Sequence, residues 1–174
     1  MRWTIRLVGT ALVTVLLTYP LWAPDWGRGI QGEVWALGWP GGLIGVLGFF
    51  GLVALYCGQL QRLMTLVRPE ARPVSPRSVW WMFAIPFNFV EDFFIVSSIS
   101  AGLSADGRLP QRTVQRWTQV GYGWCGFQIL SLFPGLLGYL SGLVAVVLVL
   151  THSVQTVQAA SMLIVRPTDA LTTV

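Results

Sequence analysis

Glu91 and Asp92 stand next to each other inside an apolar stretch, and of all the residues in the chain these have the most chemistry to offer. On a helix begun at Pro86, Asn88, Glu91 and Asp92 fall at i, i+3 and i+4, and Ser98 and Gly102 extend the polar, small-residue stripe, with Phe89, Phe93 and Val96 on the other side. An ionisable group at the centre of a membrane helix costs about 2.5 to 3.5 kcal/mol on insertion scales, so such acids must be compensated or hydrated. In one reading the stripe lines a path for protons or cations, the two acids sharing one proton because adjacent like charges repel. In the other, the segment lies near the cytoplasmic interface and the acids pair with arginines such as Arg62, Arg68 or Arg108 to anchor the fold.

His152 is the single histidine, and it stands among Thr151, Ser153, Gln155, Thr156 and Gln158. His152, Gln155 and Ala159 share a helix face, so this polar stretch can meet the Asn88, Glu91 and Asp92 stripe inside a bundle. A neutral imidazole hydrogen-bonded to a neighbouring helix is the plainer alternative. One histidine cannot hold a haem by two histidines within the chain. Cys57 and Cys125 both lie in apolar runs, which reads as buried free thiols and not as a disulfide framework. None of the close spacings of zinc or iron ligands joins them to His152, so neither a metal nor a cofactor is expected. The chain carries no Gly-rich phosphate loop, no GxSxG and no HExxH, and no catalytic set is assigned.

The elements that must position these residues are apolar helices. With 54% hydrophobic and only 10% charged residues among 174, and a mean hydropathy of +0.65, the chain holds more apolar surface than a soluble fold can hide. A helix needs roughly 20 apolar residues to cross a bilayer. The expected fold is therefore an all-α, polytopic transmembrane bundle in one domain, with spans at about 3–22, 39–59, 118–137 and 139–164. The long apolar run after Trp117 is divided near Pro134 to Gly138. Arg2 and Arg6 before the first run, and no small-residue cleavage site after it, read as an uncleaved signal anchor.

Residues 80–103 decide the helix count. All eleven basic residues are arginine, clustered beside the apolar runs, which reads as topology and not as nucleic-acid binding. If 80–103 spans, giving five helices, six arginines lie inside and five outside. If it is amphipathic or re-entrant, four helices span and ten arginines are cytoplasmic, with only Arg28 outside. The second arrangement satisfies the positive-inside rule, with both termini in the cytoplasm of a bacterial inner membrane. Tryptophans support it: Trp22, Trp26, Trp35 and Trp39 would ring the outer face, and Trp80, Trp81 and Trp117 the inner one.

Small residues show how such helices associate, because lipid tails compete equally for leucine and only close packing or hydrogen bonding favours contact. Gly41, Gly45, Gly48 and Gly51 line the second span, and Gly138 and Gly142 the last. They pack helices of one monomer, or of two chains. The stretch Trp81 to Asn88, Trp-Met-Phe-Ala-Ile-Pro-Phe-Asn, resembles a signature of an uncharacterised bacterial membrane family, domain of unknown function 4328. The resemblance implies the same four-span layout and no activity.

Short loops, glycine-lined faces and the lack of a catalytic set suit an accessory, assembly or interaction subunit of a larger membrane complex. Its partners would be the lipid bilayer and other membrane subunits or itself. The alternatives are a small homo-oligomeric carrier for protons, cations or a small solute using Glu91, Asp92 and His152, and a cofactor-binding membrane subunit.

Overall fold

The computed structural model describes residues 2–165, and all regular structure in them is helical. Helix α1 (Arg2–Trp22) leads through a 3-10 turn to the short α2 (Gly29–Ala36), and α3 (Gly38–Leu66) follows. A connector with a 3-10 helix at Pro76–Phe83 reaches α4 (Asn88–Asp106); α5 (Gln111–Leu130) and α6 (Gly135–Val165) complete the chain. Three helices are long and apolar enough to cross a membrane: α1 over Trp3–Trp22, α3 and α6. They leave most of their surface outside the protein core, as membrane helices of a small protein do.

The expected division of the last apolar run is found, with α5 ending at Leu130 and α6 starting at Gly135. The expected span 118–137 differs. Its helix, α5, begins seven residues earlier and stops short of Pro134, and Gln111, Arg112, Gln115, Arg116 and Gln119 make its first half too polar to join the three apolar helices. The expected helix over 80–103 is also two pieces. Trp80 to Phe83 belong to the 3-10 helix, and α4 starts at Asn88, because the chain turns at Ala84–Phe87 around Pro86. Arg166 and the C-terminal end lie outside the described residues.

Helices α3 to α6 enclose the main core around Leu60, Leu63, Val96, Ile99, Trp117 and Cys125. Contacts such as Gly121 with His152 and Trp117 with Thr156 run in opposite directions along α5 and α6, so these two helices are antiparallel. Helix α1 docks separately on α4 and the end of α5, through Val13, Phe89, Val90 and Leu132. At Gly9 the Val90 side chain packs so close to the α1 backbone that an added Cβ would stand 2.8 Å from Val90 Cγ2.

The C-terminal ends of α3, α4 and α6 meet at one buried carboxylate. Asp106, 2% exposed, accepts from Arg108 Nε at 2.6 Å and Nη2 at 2.8 Å, and from the Arg68 backbone N–H at 2.7 Å. Arg108 also donates to the carbonyls of Leu66 and Leu163, the last turns of α3 and α6, and Arg68 donates to the Asp106 carbonyl. Gly107, in the left-handed region at φ 72°, ends α4 beside it. Because α3 and α4 both finish here, the connector between them must climb back along the bundle by the length of α4, about 28 Å for 19 residues. Stacking of Phe83 on Phe50 and the hydrogen bond from Trp80 Nε1 to Gln61 fasten it to α3 on the way.

Arg108 holds the Asp106 carboxyl below the ordinary aspartate value, helped by the Arg68 N–H and opposed by burial. The native state thus keeps this group ionised at lower pH than the unfolded chain does. Its stabilisation is complete above about pH 3.9 and is lost as pH falls through the lowered native value. Asp106→Ala removes the carboxylate that Arg108 and the Arg68 backbone N–H share, and is expected to lower stability by about 3 to 5 kcal/mol. Melting in detergent at neutral pH measures that loss, and the variant's deficit should shrink on acidification through that window.

Candidate functional site

Both acids are buried, but their surroundings differ. They begin α4 one residue apart, roughly 100° around the helix, so they point to different neighbours. Glu91 turns toward α1. Arg6 Nη2 donates to Glu91 Oε1 at 2.9 Å, and Arg6 Nε stands 2.8 Å from Oε2 in an ion pair off the hydrogen-bond line. The guanidinium also covers the Phe94 ring at 4.5 Å. None of Arg62, Arg68 and Arg108, the partners expected from the sequence, pairs with Glu91. They sit at the opposite end of α4, where Arg68 and Arg108 bind Asp106.

Asp92 turns into the bundle. It is 1% exposed and forms no ion pair among the described residues. Gln128 of α5 lies within hydrogen-bonding reach, and Tyr56, Cys57 and Cys125 are near enough to feel its charge. Its Oδ1 has no hydrogen-bond partner, nor have Asn88 Oδ1 and Gln128 Oε1. Val96, expected on the opposite side of α4, lies one turn below Asp92 and is fully buried, so the polar stripe ends within a single turn. Phe93 and Tyr122 stack on the outer side, lining an open concavity of about 360 Å³ with Phe94 and Ser97.

His152 does not join this group directly. Its Nδ1 shares a hydrogen bond with the Tyr56 hydroxyl at 2.5 Å, and its Nε2 is directed at Gly121 and the Trp117 carbonyl. An imidazole that accepts at Nδ1 carries its proton at Nε2 and is neutral; that buried Nε2 has no hydrogen-bond partner among the described residues. Trp117 packs its ring 4.3 Å from the imidazole and donates through Nε1 to Thr156 Oγ1 at 2.9 Å, while Thr156 donates to the His152 carbonyl. Trp117 is therefore a core residue, 1% exposed, and not part of an interfacial belt. Trp80 and Trp81 remain exposed, as do Trp22, Trp26, Trp35 and Trp39 at the other end. Gln155 stands one turn beyond His152 with Oε1 unpartnered.

Sequence reasoning overlooked Tyr56 and Gln128, and it named Thr156 and Trp117 without their contacts in the core. Tyr56 and Gln128 had a signal, each being a polar side chain inside an otherwise apolar stretch. Cys57 and Cys125 are free and fully buried. Among the described residues, no group of three His, Cys, Asp or Glu side chains stands close enough to hold a metal ion.

The six candidate packing glycines fall into two groups. Gly138 and Gly142 meet the turn before α6, Gly138 against the Phe133 carbonyl and Gly142 against Ser131. Gly48 and Gly51 meet nothing within 4 Å, and Gly41 and Gly45 touch only Leu37, which immediately precedes their own helix. No family model, no curated protein and no solved structure matches the chain, so the resemblance at Trp81 to Asn88 rests on those eight residues alone.

An added Cβ at Gly121 would stand 2.8 Å from His152 Nε2 and 2.9 Å from Val96 Cγ1. Gly121→Leu is expected to lower stability by about 1 to 3 kcal/mol through overpacking. Tyr56→Phe, which removes only the hydroxyl, should cost about 1 kcal/mol. Both changes can be followed by melting with a thiol-reactive fluorogenic dye, since unfolding uncovers Cys57 and Cys125.

Proposed function

We propose that the chain is an interaction subunit of a bacterial cytoplasmic-membrane complex, docking through the glycine side of α3. The observation that carries this reading is the emptiness around Gly48, Gly51 and Gly58: among the described residues, and leaving aside their own helix backbone, no atom lies within 4 Å of an added Cβ. Against lipid a glycine face gains nothing, whereas against a helix it permits the close backbone approach on which association in membranes depends. The buried side of α3, with Cys57, Leu60 and Met64, faces the bundle, so the glycine side is left for another chain.

The accompanying topology has four crossings, α1, α3, α5 with its following turn, and α6, with the segment from Val67 to Asp106 entering and leaving on one side. Support comes from the meeting of the α3, α4 and α6 ends at Asp106. In this topology Arg62, Arg68, Arg72 and Arg77 would share a side with Arg108, Arg112 and Arg116, in keeping with the positive-inside rule. Arg2, Arg6 and Arg166 join that side when both termini are cytoplasmic. The layout also agrees with the one implied by the resemblance to domain of unknown function 4328.

The reading is tested by purifying the tagged protein from native membranes in mild detergent and weighing the intact assembly by mass spectrometry. A stoichiometric membrane partner is expected. Gly48→Ile with Gly51→Ile should leave the melting temperature of the purified chain unchanged and reduce partner recovery at least tenfold. A solitary wild-type chain, or a partner retained by the double variant, would overturn it.

A second reading, a small proton or cation carrier, is favoured by Asp92, since Glu91 is paired with Arg6 and His152 Nδ1 is engaged by the Tyr56 hydroxyl. It predicts that Asp92→Asn abolishes ion-driven flux in proteoliposomes at unchanged expression, whereas His152→Gln retains it. Equal flux in wild type and Asp92→Asn removes this reading.

A further inference from the structure

Asp92 begins a helix whose arginine-rich end, at Asp106, is about 21 Å away along the axis. The titratable and charged groups that face it are Glu91 on its own helix, Tyr56 and Cys57 from α3, and Cys125 from α5. None is a cation. Arg6, the cation on the neighbouring α1, is committed to Glu91. The Cys57 thiol donates to the Val79 carbonyl, and the Tyr56 hydroxyl is shared with His152, so neither is free to donate to the carboxylate.

What surrounds Asp92 is an excess of acceptors. Asp92 Oδ1, Asn88 Oδ1 and Gln128 Oε1 are all buried and without a donor, and Asn88 itself is only 7% exposed. Asn88 lies one turn before Asp92 on the same face of α4, and Gln128 reaches it from α5. The Gln128 amide is within reach to donate to one carboxylate oxygen, but an ionised Asp92 would still keep Oδ1 without a donor and bury an uncompensated charge inside the bundle. A protonated carboxyl removes the charge and supplies a donor where buried amide oxygens need one.

We propose that Asp92 is a proton-binding site, a neutral carboxylic acid inside the bundle whose hydrogen is donated to the amide oxygen of Asn88 while the Gln128 amide N–H faces its other oxygen. The chemistry is reversible: a proton from water joins one carboxylate oxygen and returns to water on release. This names the proton as the ion of the second reading and rests on that reading for its use, although binding is measured independently of transport.

The test is infrared spectroscopy of the full chain in lipid nanodiscs at neutral pH, with aspartate labelled at the side-chain carbonyl carbon. The other aspartates are Asp25, Asp106 and Asp169, of which Asp106 is held ionised by arginine. The expected result is a carboxylic-acid carbonyl band that shifts with the label and in heavy water, and that is absent from Asp92→Asn. That variant keeps the shape of the neutral acid and should melt within a few degrees of wild type, while Asp92→Ala melts lower. Should either variant fail to fold, the isotope shift in the labelled wild type decides alone. Only carboxylate bands in the labelled wild type would overturn the proposal. So would an acid band that vanishes when sodium replaces choline in the buffer, which would assign the site to a metal cation. An acid band with no proton-driven flux in proteoliposomes would leave the binding site standing and remove only the carrier.

Discussion

The meeting of three helix ends at Asp106 is the constraint on which the rest of the structure depends. A helix C-terminus exposes unpaired carbonyls and carries the negative end of the helix dipole, so gathering three of them around a buried carboxylate concentrates negative charge. Two arginines are needed to offset it. Arg108 reaches the ends of α3 and α6 while gripping both carboxylate oxygens, and Arg68 adds its backbone N–H and its side chain. Arg72 closes the same region by donating to the carbonyls of Thr65 and Val67. Once these ends are joined, α4 must run parallel to α3, and the chain between them has to travel back to the far end of α4.

That return path brings Glu91 and Asp92 to the place where α1 and α5 can reach them. The two acids are alike in sequence and differ in role because a helix turns roughly 100° per residue. Glu91 meets a guanidinium from α1, and with Gly9 against Val90 the ion pair fixes where α1 docks. Asp92 meets α3 and α5, which offer it an amide and no cation. A single chain thus contains one acid whose charge is neutralised by a partner and one for which no such partner is built.

Glycine shows the same dependence on environment. Gly9 and Gly121 lie where helices touch so closely that a Cβ has no room, whereas Gly48 and Gly51, more conspicuous as a motif, touch nothing in the chain. Close packing inside the monomer thus involves Gly9 and Gly121 together with Gly138 and Gly142, whereas the glycines of α3 stand on the side of that helix away from the core. His152 follows a similar logic. Its burial between Trp117, Tyr56 and Gly121 makes it a fastening between α3, α5 and α6.

Composition and the lengths of apolar runs were sufficient to indicate a helical protein with helices long and apolar enough to cross a membrane, because the cost of exposing backbone and charge to lipid accrues residue by residue and is readable without partners. The break near Pro134, the buried thiols and the burial of Glu91 and Asp92 were legible for the same reason. What surrounds each acid was not. Arg6 and Glu91 are 85 positions apart, and Tyr56 and His152 are 96 apart. Nothing local in either segment encodes such meetings. The split of residues 80–103, the core position of Trp117 and the isolation of Asp92 were likewise decided by how whole helices pack. Hydrophobicity says which segments enter a bilayer, and only the shape of their contacts says which side chains meet there.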